Sequence, residues 1–342
     1  MKCYAASLFM ECLVLCMGTV SQAKAAEIFS PTVCAQRVSD SDATAIMQAV
    51  FNDKFTELVD SYRKASSHSP PLTEAFVEKN RGLAFAICDN EGSFDSTSVY
   101  GTGVVFDLKL MALLMAQARA LIFGASVSPS DPLALHDSLM SAFIDSGNDR
   151  SINPLRQVKD DMIVAGVTES QYSDLLNDPA TSERVSVLFL ASLNFLSLHE
   201  RCHFGLDHGP KVAAIRNQSA DRRPSLRHQL ELDADRCAQA IINADESQFT
   251  YSPIAYFGLA MIVTTQVIVS AFAASAETTS HPSARTRLDM AQSQALQYLD
   301  GQSGPVVDVY RDTIRGFGDH MEKVAASADR RRASRRGVTG AP

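Results

Sequence analysis

The sequence predicts an α+β fold, mostly helical with one small sheet, on three observations. Long stretches such as Leu108 to Gly124 and Val185 to Leu198 carry apolar residues at helical spacing. Two short apolar runs, Gly82 to Cys88 and Thr97 to Phe106, have strand length and flank the turn residues Asp89-Asn-Glu-Gly-Ser93. The chain has 342 residues, 46% hydrophobic and 20% charged, with no visible internal repeat, which is enough material for a full core. Its net charge of -8 and pI near 5.5 give no general attraction to phosphate backbones, so nucleic acid is not an expected partner.

Residues 1–25 read as an export signal. Lys2 precedes a largely apolar run from Cys3 to Val20, and Ala23-Lys24-Ala25 has small residues at both positions a signal peptidase reads. Cleavage before Ala26 would send the mature chain to the periplasm or outside the cell; the alternative is an uncleaved membrane anchor. Cys16 follows Leu13-Val14-Leu15, which lacks the small residue expected before a lipidated cysteine. Removal of the leader leaves Cys34, Cys88, Cys202 and Cys237, which allow two bridges of three connectivities or four buried thiols.

The mature chain, a single domain over 26–325, begins with helical spacing at Ala45, Met47, Val50, Phe51, Phe55 and Leu58, closed by the loop Ser66 to Pro71. The two apolar runs that follow are expected to form a β-hairpin, whose edge either adds an extended peptide substrate or is plain core. Leu108 to Gly124 is an apolar helix with Lys109 and Arg119 as its only charges. Residues 125–182 are broken by Ser-Pro-Ser-Asp-Pro, Ser-Gly-Asn-Asp and Asn-Asp-Pro, and are expected to be an insertion or lid, or else a surface excursion.

Val185 to Leu198 leads into His199-Glu200-Arg201-Cys202-His203. A four-residue step on a helix returns to nearly the same face, so both imidazoles reach one metal while Glu200 stands beside its open side. This is the H-E-x-x-H arrangement of zinc hydrolases, with Glu200 as general base. A largely apolar helix would not otherwise bury three such polar groups without partners, and a metal provides them.

The third ligand is sought downstream. A histidine six residues after His203 would signal a metzincin, but that position is Gly209, and His208 is one short. The other solution is a carboxylate from a separate helix. Leu226 to Ile242, with Ser225 as N-cap after Pro224, is such a helix. Its Glu231 and Asp235 share a face; Glu231 completes the metal site, and Asp235 can hold a ring nitrogen of a ligand histidine. Cys202 and Cys237 lie on these two helices and could staple them.

The uncharged segment 253–275 is long enough to span a bilayer. A single crossing would separate His281 from Glu231, so a buried core helix is expected, with membrane association as the alternative. Residues 326–342, with Arg330-Arg-Arg-Ala-Ser-Arg-Arg336, are expected to be a disordered basic tail.

Taken together, His199-Glu200-x-x-His203, Glu231-Leu-Asp-Ala-Asp235 and His281-Pro282-x(4)-Arg287 resemble the gluzincin family of the CAAX prenyl endopeptidase and heat-shock protease X, whose motifs are HExxH, ExxAD and HP-x(4)-R. Ala84-Phe85-Ala86 is similar to that family's Asn-Ala-Phe-Ala strand, with Leu83 at the asparagine's place. The resemblance implies that His281 and Arg287 line the active site, His281 as donor to the oxyanion. The expected function is therefore a zinc-dependent endopeptidase acting on exported or envelope proteins. Zinc would be held by His199, His203 and Glu231, with a protein or peptide as substrate. The alternative is a zinc-stabilised envelope chaperone or assembly factor with little proteolytic activity.

Overall fold

The computed structural model describes residues 55–56, 59–60, 73–81, 83–88, 98–100, 103–146, 152–243, 256–263, 265, 282–300 and 303–339. The leader 1–25, Cys34, the spacing from Ala45 to Phe51, the loop Ser66 to Pro71 and His281 lie outside them. The chain is mostly helical with one small sheet, as the sequence predicts. In order, the elements are α1 (Glu74–Asn80), β1 (Ala84–Cys88), β2 (Ser98–Tyr100), β3 (Gly103–Asp107), α2 (Leu108–Val127), α3 (Ala134–Ser146) and α4 (Pro154–Val164). There follow α5 (Glu169–Asn177), α6 (Pro179–Gly205), α7 (His208–Ile215), α8 (Arg223–Asn243), α9 (Ala284–Tyr298) and α10 (Pro305–Thr339).

The strand pairing differs from the expected hairpin. The sheet order is β1-β3-β2: β1 runs parallel to β3, and β2 pairs antiparallel with β3. The run expected as one strand from Thr97 to Phe106 gives two strands, β2 and β3, which pair with each other. Every residue of β1 and β3 is buried, as strands covered on both faces require. Asp107 ends β3 and caps α2, its side chain accepting from the amides of Lys109 and Leu110.

Residues 125–182 belong to the core rather than to a surface excursion. They form α3, α4 and α5; α3 and α4 pack on α2, and α5 packs on α6. Leu139, Met140, Phe143, Val158, Met162 and Tyr172 join the main apolar cluster. Where α3 meets α10 the core contains a polar network. His136 Nδ1 lies 2.9 Å from His320 Nε2, His136 Nε2 lies 3.3 Å from Gln117 Oε1, and Gln117 donates to Thr265 Oγ1 at 2.7 Å.

The tail expected to be disordered, 326–342, is helical to Thr339; α10 buries Val324, Ala325 and Ala328 along one side, while residues 329–331, 333 and 334 are exposed. Of the uncharged segment 253–275, the described helical residues 256–263 are buried apart from the partly buried Phe257. A Cβ on Gly258 would come within 2.7 Å of the Ala191 carbonyl carbon, so this segment lies directly on the backbone of α6. Among the described residues one helix, α2, is long and apolar enough to cross a membrane, with 56% of its most apolar window buried in the protein.

Candidate active site

The site is built where α6 and α8 pack together. Asp178 starts α6 by accepting from the Thr181 amide, with Pro179 in the first turn where its missing N–H costs nothing. The helix then runs 27 residues through the core, burying Leu193, Phe195, Leu196 and Leu198, and reaches the two histidines at its C-terminal end. α8 begins at Arg223, so Ser225 lies within its first turn and is not its N-cap; Pro224 is tolerated there for the same reason as Pro179. Cys202 and Cys237 form a disulfide that joins the two helices covalently. Cys88 is also disulfide-bonded, to a residue outside the described set.

His199, His203 and Glu231 converge. His199 Nε2 is 3.0 Å from His203 Nε2, and Glu231 Oε2 is 3.4 Å from the first and 3.5 Å from the second. Three donors bound tetrahedrally at zinc distances of about 2.0 to 2.2 Å stand roughly 3.3 Å apart, which is the triangle these atoms make. Two imidazoles and a carboxylate are a borderline donor set suited to zinc. The residues therefore fit the ion.

Asp235 stands behind His199. Its Oδ1 lies 2.8 Å from His199 Nδ1, while Arg287 donates from Nε to Oδ2 and from Nη2 to Oδ1, both at 2.6 Å. Asp235 and Arg287 are both fully buried. Arg287, which the resemblance places on the active-site lining, grips the carboxylate behind the candidate ligand His199. His281 lies outside the described residues.

Electrostatics follow the geometry. Burial works against the charged form of His199, but the carboxylates of Asp235 and Glu231 outweigh it and push the imidazole up to about 10. Burial also opposes the Asp235 carboxylate, yet Arg287 and His199 hold it well below the usual range. His203 is lowered by burial. Glu200 is pushed up to about 8 by burial, with the neighbouring Glu231 adding to the rise and His199 and Arg287 opposing it. A carboxyl in that range can both accept and return a proton near neutral pH.

Two further buried polar residues, Arg201 and His208, make contacts on and beside α6 that sequence patterning does not reveal. Arg201, between the motif residues, is buried over the rings of Phe55 and Phe85 and donates to the Asn80 carbonyl at 3.1 Å, fixing α6 to the end of α1. His208 places its Nδ1 2.8 Å from Nδ1 of His203. A buried arginine inside the motif could have been suspected from the apolar run before it; the fold that returns His208 to His203 leaves only Gly205 and Asp207 as hints.

A family profile described as Peptidase U49 matches residues 137–300. It is a peptidase family. The match takes in α6, α8 and α9, and so both candidate ligand helices together with Arg287. No curated protein and no solved structure matches the chain. The likeness to the CAAX prenyl endopeptidase and heat-shock protease X family rests on its sequence motifs, and the comparisons do not confirm it.

Proposed function

We propose that the chain is a zinc-dependent endopeptidase of exported or envelope proteins. The observation that carries this reading is the convergence of His199 Nε2, His203 Nε2 and a Glu231 oxygen at zinc-ligand spacing, inside the region similar to a peptidase family. A zinc ion held there would supply Lewis-acid polarisation of the scissile carbonyl and a water acidified toward neutral pH. The chain's residues do the rest. Glu200 takes the proton of the attacking water and passes it to the leaving amine nitrogen. Asp235 orients His199, and Arg287 keeps Asp235 ionised and fixed. The resemblance assigns His281 to the oxyanion of the tetrahedral intermediate.

Export is supported by the Cys202–Cys237 disulfide, since such bridges persist mainly in oxidising compartments. The leader reading of residues 1–25 agrees with it, and the periplasm or the exterior is the proposed location. Glu200→Gln tests the function. The substitution keeps the three ligands, so zinc content should hold while cleavage of an unfolded protein such as casein falls by about two to four orders of magnitude. If the variant cleaves as wild type does, Glu200 is not the base. If wild type cleaves nothing and Glu200→Gln still performs the cellular role, the chaperone alternative replaces the peptidase.

A further inference from the structure

We propose that His208 is the positioning residue of the ligand His203, holding its ring in the tautomer and orientation that metal binding needs; this rests on the zinc reading of the site. The Nδ1 atoms of the two rings are 2.8 Å apart, so one of them donates a proton to the other. His203 Nε2 faces His199 Nε2 and Glu231. For that nitrogen to give its lone pair to a metal, the proton of the neutral ring must sit on Nδ1, and Nδ1 then donates to His208. His208 accepts at Nδ1 and is protonated at Nε2.

The fold is arranged for this contact. On a continuing helix, a residue five positions after His203 would point about 140° away from it. Instead α6 ends at Gly205, and Asp207 takes the left-handed conformation, φ 58 and ψ 40. That reversal starts α7 and turns His208 back onto α6. The Asp207 carboxylate pairs with Lys79 of α1, which anchors the reversal. His208 is 2% exposed, and its Nε2 has no hydrogen-bond partner among the described residues. A buried imidazole costs more here than an apolar side chain unless its nitrogens find partners, and Nδ1 finds one in His203. What the imidazole adds is its bond to His203.

The two ligand histidines are thereby held by different means. His199 is backed by a carboxylate clamped by Arg287, and His203 by a neutral ring held through a chain reversal.

The test is zinc affinity of the full chain, measured at one pH by competition with a chromophoric chelator. His208→Ala should weaken zinc binding by about 10- to 100-fold, the usual worth of such a supporting contact. His208→Asn, whose Oδ1 can accept from His203 Nδ1, should restore most of the loss, which filling the space alone would not explain. Nitrogen-15 histidine spectra of zinc-loaded wild type provide a measurement that does not depend on a variant folding, and should show His208 protonated at Nε2. Wild-type affinity in His208→Ala, no rescue by a folded His208→Asn, or an Nδ1-protonated His208 in the loaded protein would overturn the proposal. Failure of the zinc reading would show separately, as no zinc binding by wild type.

Discussion

Arg287 holds Asp235 with both arms of its guanidinium, Nε on Oδ2 and Nη2 on Oδ1, and the same Oδ1 stands 2.8 Å from His199 Nδ1. All three side chains are buried. The pair links α9 through α8 to the candidate ligand His199 on α6, and both charges are buried.

Removing one partner should therefore cost more than removing both. Arg287→Met strands a buried carboxylate and should lower unfolding free energy by about 3 to 5 kcal/mol in urea denaturation. Arg287→Met with Asp235→Leu should recover part of that stability while losing the support of His199. Equal stability of wild type and Arg287→Met would show that the ion pair is not formed.

The disulfide between Cys202 and Cys237 closes a separation of 35 residues and ties the two ligand helices together. Replacing both cysteines with alanine should cost about 3 to 4 kcal/mol by the chain-entropy account. Alkylation without reductant followed by peptide mass analysis should leave both unlabelled in wild type. Labelling of both would remove the staple, and with it the structural support for an oxidising compartment.

Acid should destabilise the junction of α3 with α10. Burial, helped by His320, lowers His136 to about 3 from an ordinary 6.5. The unfolded chain thus binds a proton that the folded chain refuses between those values. The stability this histidine contributes is fully present above about 6.5 and is lost as pH falls toward 3. Unfolding free energy measured from pH 7 to pH 4 should fall more steeply in wild type than in His136→Gln. Parallel curves would contradict the assignment.

How much of this could be read in the sequence varies with the residue. That His199 shares a face with His203, and Glu231 with Asp235, follows from helical spacing, because a four-residue step returns to one face; that Glu231 meets the two histidines depends on the packing of α8 on α6. The pairing of β1 with β3 does not, since apolar composition marks a strand but says nothing of its neighbour or direction. Arg287 carries the right motif position, yet only the docking of α9 on α8 shows that it holds Asp235. The helical end of α10 was not legible because its arginine-rich sequence after Ala328 carries no apolar stripe, and its described residues there are exposed. His208 was misleading in a different way: it lies near a ligand spacing but becomes a neighbour of His203 only through the left-handed turn at Asp207.

The claim at the centre of this account is that α6 and α8 jointly hold one zinc ion. Elemental analysis of the purified chain and of Glu231→Ala tests it most directly. Wild type should contain about one zinc per chain, because three protein ligands leave the fourth position open, and Glu231→Ala should lose most of it. Full zinc retention by folded Glu231→Ala would contradict the carboxylate ligand from α8.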